Sequence, residues 1–247
     1  MSGEISFYDI HSHILPGMDD GAKDVNTSLA MLAEAKRQGC RGIVATSHYY
    51  RKESIESFLK RRAEAYEKLT DAVSKADPYW VGRIGLGAEV AYHRTLIQDP
   101  DLTKLRFGES DYLLLEPPFV AWSTSFLRDI RRMTTSMGLR VIIAHLERYR
   151  NYTDKLSLDE LFQMDVIIQM DAEELLRWSR ARRALSMIKN NMIDVLGSDM
   201  HNTSSRPPNM APALERLARA RMENEVQRMR NMSQEIFAAA IKGETGE

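Results

Sequence analysis

The chain alternates short apolar runs with longer amphipathic segments. GIVAT, YLLLE, RVIIA and VIIQM are apolar at nearly every position, as parallel strands buried on both faces read. The runs predict strands at Phe7–His11, Gly42–Ser47, Arg83–Glu89, Asp111–Glu116, Arg140–His145, Val166–Asp171 and Asp194–Ser198. Helical patterns lie between them, among them Thr27–Gln38, Ser54–Lys75, Ser125–Met137 and Glu173–Asn191. Strand alternating with helix argues for parallel βα units and an α/β fold. Seven such units, with no Gly/Pro-rich linker, internal repeat or low-complexity block, predict a single closed or nearly closed barrel over residues 1–247. The stretch Lys75–Gly82 has the weakest pattern and reads as a loop.

The strands end in an unusual way. The first ends in His11 and His13, the second in His48, the third in Glu89, the fourth in Glu116, the fifth in His145, and the seventh in Asp199 and His201. In a parallel barrel these C-terminal ends meet on one face, where active sites are built. Five of the six histidines therefore converge and His93 stands apart. Alternate strand residues point the same way, so His11 and His13 share a face, and the pair Asp199 and His201 repeats that geometry. Asp9 shares the face of His11 and could orient its ring from behind. A lone histidine or glutamate at a strand end is ordinarily a capped or solvated residue. Eight on successive strand ends are not, because apolar strands disfavour His and Asp unless something offsets the desolvation. Imidazoles mixed with carboxylates suit Mn, Fe or Zn, and Glu89 could bridge two ions. Metals roughly 3.5–4 Å apart can hold a hydroxide nucleophile and stabilise a phosphoryl displacement.

Composition narrows the setting. With 247 residues, 43% hydrophobic, and a formal net charge of −1, the chain can bury a sizeable core and has no global pull toward nucleic acid or anionic membrane. The lone Cys40 excludes an intramolecular disulfide and fits a reducing compartment. The start, MSGEISFYDIHSH, lacks the regions of a signal peptide, and no apolar stretch nears the ~20 residues of a membrane span. A cytoplasmic enzyme without nucleic-acid partner or membrane insertion is expected.

DIHSH, the DDG downstream of it, TSH, GAE, LLLEPPF, AHLERY and GSDMHN together resemble the PHP (polymerase and histidinol phosphatase) superfamily. The details resemble its branch of bacterial CpsB/YwqE/CapC-type protein-tyrosine phosphatases from capsule and exopolysaccharide operons. The likeness runs from Phe7 to about Arg206, with the motifs in order. It implies a distorted (β/α)7 barrel with its active site at the C-terminal strand ends, and three divalent metal ions, Mn first among them with Fe or Zn as alternatives. It also implies a ligand set. His11 and His13 would bind the first ion, with Glu89 bridging to the second. Glu116 and His145 would complete the second, and Asp20, His48 and His201 would bind the third. Asp199 would join the first ion and reach toward the third. Aligning the DDG triplet selects Asp20, with Asp19 as the fallback. Ser47 stands where relatives often carry proline. The carboxylates Asp20 and Glu116 are the pattern of the tyrosine-phosphatase branch, where many PHP members have histidine. Arg148 and Arg206 would fork the phosphate, a role the bidentate guanidinium suits; by spacing alone they read equally as surface arginines.

The implied substrate is the phosphotyrosine tail of a bacterial tyrosine autokinase controlling polysaccharide export, hydrolysed without a covalent phosphoenzyme. Two rivals stay open: another PHP phosphoesterase, acting on histidinol phosphate or a nucleotide, and a non-catalytic PHP regulatory module. Cys40 is not a phosphatase nucleophile of the C-x5-R kind, because position 46 is Thr46. The basic helices KRRAEAYEK, WSRARRAL and ERLARARM read as solvated faces laced with glutamate, or as a docking surface for an acidic tail or another subunit. The scattered C-terminal methionines read as core packing. Oligomerisation is left open.

Overall fold

The computed structural model describes residues 6–149 and 152–242. Nine strands run in chain order: β1 (Phe7–Ser12), β2 (Cys40–Ala45), β3 (His48–Tyr49), β4 (Ile84–Leu86), β5 (Glu89–Ala91), β6 (Tyr112–Glu116), β7 (Arg140–Ile143), β8 (Ile167–Asp171) and β9 (Val195–Gly197). The helices among the described residues are α1 (Val25–Arg37), α2 (Ile55–Ala76), α3 (Thr124–Thr135), α4 (Leu146–Tyr149), α5 (Lys155–Leu161), α6 (Glu173–Leu176), α7 (Trp178–Lys189), α8 (Met210–Arg219) and α9 (Glu223–Ala240), with a few one-turn 3₁₀ segments. Polar side chains start several of them: Asp24, Ser54, Ser123 and Asp154 each accept a first-turn backbone N–H.

All strand pairs are parallel, in the orders β1-β2-β4 and β3-β5-β6-β7-β8-β9. The second and third predicted strands each break in two, and the halves fall in different sheets. At the break Gly87 N donates to Ala45 O (2.9 Å) and Glu89 N to Thr46 O (3.1 Å). Gly87 is required there, since a Cβ would overlap the Phe107 ring. At the other end of the order, Asp199 N donates to His11 O and His13 N to Met200 O, both at 3.0 Å. The fold is thus α/β, with parallel sheets curled toward one another and joined at both margins.

Strand alternation divides the core. Ile10, Val44, Leu114, Ile142 and Val195 point to one side, where Ile236, Phe237 and Ala240 of α9 meet them. Ile43, Leu113, Leu115, Val141, Ile143 and Ile168 point to the other, toward the surrounding helices. Phe237 stacks on Tyr8 (ring centroids 4.9 Å apart) and fills the space where a side chain at Gly42 would stand. Two local expectations change. The helix expected at Glu173–Asn191 is interrupted at Arg177, whose ψ of 114° is extended. The loop expected at Lys75–Gly82 contains a turn of 3₁₀ helix at Pro78–Trp80, anchored by the buried Trp80.

Candidate metal centre

Where the alternating strand positions run out of apolar side chains, they present His11, Glu89, His145, Gln169 and Asp199, all buried. Glu89 sits in the middle. Its Oε2 lies 3.2 Å from both His11 Nε2 and His13 Nε2 and 3.0 Å from His48 Nδ1, and its Oε1 lies 2.6 Å from His145 Nε2. Asp199 Oδ1 approaches His13 Nε2 at 3.4 Å and His11 Nε2 at 3.6 Å. Asp20 Oδ1 lies 3.3 Å from His201 Nε2 and 3.6 Å from His48 Nε2. Glu116 completes a further grouping with Glu89 and His48. His93 lies apart, paired with Thr95 at 3.1 Å.

The DDG turn divides the labour between its carboxylates. Asp19, with its side chain 5% exposed, places Oδ2 2.8 Å from His13 Nδ1 and accepts the His48 backbone N–H at 2.8 Å. Asp20, 65% exposed at its side chain, faces the open side toward His48 and His201. Gly21 lets the turn fold back, because a Cβ there would strike His13. Two site residues, His145 (φ 53°) and Asp199 (φ 52°), hold left-handed backbone conformations, which cost on the order of 1–3 kcal/mol each and persist where surroundings over-determine them.

The electrostatics are those of a buried, mutually dependent set. Burial disfavours ionised Glu89, yet His11 and His145 hold its carboxyl well below the usual range. Burial likewise opposes the charged form of His13, but the bond to Asp19 and the nearby carboxylates of Asp199 and Glu89 hold it well above the ordinary value. Burial, then the charge of Glu89, pushes Glu116 up to about 7. Burial, then the charge of His13, pushes His201 down to about 4. Despite this crowding, Glu89 Oε2, Asp199 Oδ1, His48 Nδ1 and His201 Nε2 are buried with no hydrogen-bond partner. Buried polar atoms are rarely left so. Imidazole and carboxylate atoms aimed at common points, four of them left without a hydrogen bond, fit divalent cations.

Both predicted arginines arrive at this rim. Arg148 Nη2 contacts Asp171 Oδ2 (2.6 Å) and Asp199 Oδ2 (2.5 Å). Arg206 Nη2 contacts the same Asp199 oxygen, and its Nη1 lies 3.7 Å from Asp20.

A family model described as "Capsular polysaccharide synthesis, CpsB/CapC" matches residues 7–237. The chain belongs to the CpsB/CapC family. It is 31% identical over 224 residues to the tyrosine-protein phosphatase CpsB of Streptococcus pneumoniae, covering 85% of this chain and 89% of that one. It is 32% identical over 213 residues to the tyrosine-protein phosphatase YwqE of Bacillus subtilis, covering 80% and 78%. One solved chain, described under crystal structures of YwqE from Bacillus subtilis and CpsB from Streptococcus pneumoniae as unique metal-dependent tyrosine phosphatases, superposes with a TM-score of 0.80 at 26% identity over 94% of each chain.

In this CpsB/CapC chain some site residues were not legible in the sequence. Asp171 closes β8 and places Oδ1 2.7 Å from His145 Nδ1 while also holding Arg148. Gln169, two residues earlier, accepts the His145 backbone N–H at 2.9 Å and approaches His11 Nδ1 at 3.4 Å. The signal was present, since Gln169 and Asp171 alternate as His11 and His13 do. The expected role of Asp9 is corrected. Its Oδ1 accepts the backbone N–H groups of Ser198 (3.0 Å) and His11 (3.3 Å), so it ties β1 to the end of β9 and does not bond the His11 ring. The His11 ring faces Gln169 through its Nδ1 instead.

Proposed function

We propose that this chain is a metal-dependent protein-tyrosine phosphatase, a phosphoric monoester hydrolase. The observation that carries the reading is the convergence of nine histidine and carboxylate side chains, several with buried unpartnered atoms, beside two arginines. His11, His13, Glu89 and Asp199 would hold one ion, Glu89, Glu116 and His145 a second, and Asp20, His48 and His201 a third. Mn suits this set, as do Fe and Zn. Bound there, the ions supply charge stabilisation for the phosphoryl group and the departing phenolate, and acidify water. The protein does the rest. Arg148 and Arg206 orient the phosphate oxygens with N–H donors that Asp171 and Asp199 fix in place. Asp19 and Asp171 hold the His13 and His145 rings from behind, the kind of support that commonly sets ligand orientation.

The seven strand positions expected from the sequence support a distorted (β/α)7 barrel, if β2 with β3 and β4 with β5 are each counted as one broken strand. Two core layers built from residues throughout the chain support a single domain over residues 1–247. No helix among the described residues is long and apolar enough to cross a membrane, which accords with a cytoplasmic enzyme. Its substrate would be the phosphotyrosine tail of a bacterial tyrosine autokinase in capsule or exopolysaccharide synthesis, the process in the family's description. Glu89→Ala tests the reading. Turnover of a phosphotyrosine peptide should vanish while circular dichroism stays native-like, and a folded variant with near-normal turnover would refute it.

A further inference from the structure

A cavity of about 340 Å³ opens beside Asp199 and Arg206 and is walled by Leu176, Arg177 and Pro207. Immediately beyond it, at the start of α7, Trp178 is 92% exposed. A tryptophan ring left in water forgoes the largest apolar burial of any side chain, so its exposure next to a site marks a contact surface. Arg182 lies one turn further on, also exposed, and the spacing of four places it on the same helix face as Trp178. The opposite face, with Ala181, Ala184, Met187 and Ile188, is buried. Residues 173–183 carry four arginines against two glutamates in a chain whose net charge is −1. Glu173 and Glu174 engage Arg177 (2.7 Å) and Arg180 (2.5 Å), so the segment keeps a positive excess around Trp178 and Arg182.

We propose that this strip, running from Arg206 through the cavity and over Trp178 and Arg182, docks the acidic polypeptide flanking the substrate phosphotyrosine. The inference rests on the phosphatase reading above and adds where the rest of the substrate lies. An extended chain advances ~3.3 Å per residue, so residues a few positions from a phosphotyrosine held at Arg206 reach the tryptophan. Trp and Arg are the side chains that dominate such contacts. The continuity of strip and cavity favours a peptide over a membrane surface, which would need no path to the metal centre.

The test uses the full-length, metal-loaded protein and a fluorescent peptide bearing a non-hydrolysable phosphonate analogue of phosphotyrosine, with acidic or with lysine flanks. Trp178→Ala and Arg182→Glu should each weaken binding of the acidic peptide about tenfold. Trp178→Ala should leave the lysine-flanked peptide's weaker binding unchanged, and Arg182→Glu should not weaken it. With hydrolysable peptides the KM should rise for acidic flanks at constant kcat, while turnover of p-nitrophenyl phosphate stays as in the wild type. Unchanged affinity for the acidic peptide would overturn the proposal. So would an equal loss on p-nitrophenyl phosphate, which would mark a structural role. A fall in solution mass of Trp178→Ala would assign the patch to a second copy of the chain. Anionic-vesicle binding lost in Trp178→Ala, with peptide affinity kept, would assign it to a membrane. A wild type that binds the acidic peptide through these residues but turns over neither substrate would sink the phosphatase reading while upholding the docking surface.

Discussion

Arg148→Lys keeps the charge at the rim of the metal centre and removes the fork. A guanidinium carries five N–H donors and an ammonium three. In the structure Nη2 alone meets both Asp171 Oδ2 (2.6 Å) and Asp199 Oδ2 (2.5 Å), which leaves the Nη1 and Nε donors for a phosphate. A lysine that satisfied the same two carboxylates would have one donor left, and without the planar two-bond geometry. The difference is one charge-assisted hydrogen bond to the phosphate, about 1.5–3 kcal/mol, or roughly ten- to a hundredfold in kcat/KM. The side chain is 32% exposed, so solvent screening favours the lower half of that range. Metal content should not change, since arginine cannot be a ligand, and inhibition by phosphate and vanadate should weaken in parallel. Steady-state kinetics on a phosphotyrosine peptide, with metal analysis of the same sample, measures all three. Wild-type kcat/KM in the lysine variant would refute the argument and reduce Arg148 to a buttress for Asp171 and Asp199.

The other expectations concern what stands behind the ligands and what does not matter. Asp171→Asn removes the carboxylate behind His145 (2.7 Å) and beside Arg148; metal affinity or activity should fall about 10–100-fold, the usual cost of losing such a partner, and a metal titration with unchanged affinity and turnover would contradict it. Cys40 is fully buried, and burial, then the charge of Asp9, pushes its thiol well above the usual range. With so little thiolate it should resist alkylation in the folded protein, and phosphatase activity should survive iodoacetamide treatment, read by intact mass and turnover together.

Much of the site could be read from the chain because parallel strands offer a simple code. An apolar run that ends in His11, Glu116 or His145 gives both the strand and its functional end, and a period of two says which neighbours share the face. The rest depended on tertiary packing. The breaks after Ala45 and after Leu86 fall where Gly87 lies against Phe107, a contact with no local signature. The stop at Arg177 is a backbone choice inside a segment whose helical pattern continues through it. The amphipathic pattern of α9 could not say that Phe237 would fill the space over Gly42. Asp9 was read as a support for the His11 ring, yet its Oδ1 accepts the backbone N–H groups of His11 and of Ser198, 189 positions away. The aligned DDG triplet selected Asp20 over Asp19, but not that the turn would bury Asp19 behind His13 and leave Asp20 facing His48 and His201.

Phosphate release from a phosphotyrosine peptide, followed after the purified protein is stripped with a chelator and again after Mn is returned, decides whether the buried histidine and carboxylate cluster binds metal for phosphotyrosine hydrolysis. Activity should disappear with the metal and return with it, while the fold is kept. Undiminished phosphate release from the verified metal-free protein would contradict this.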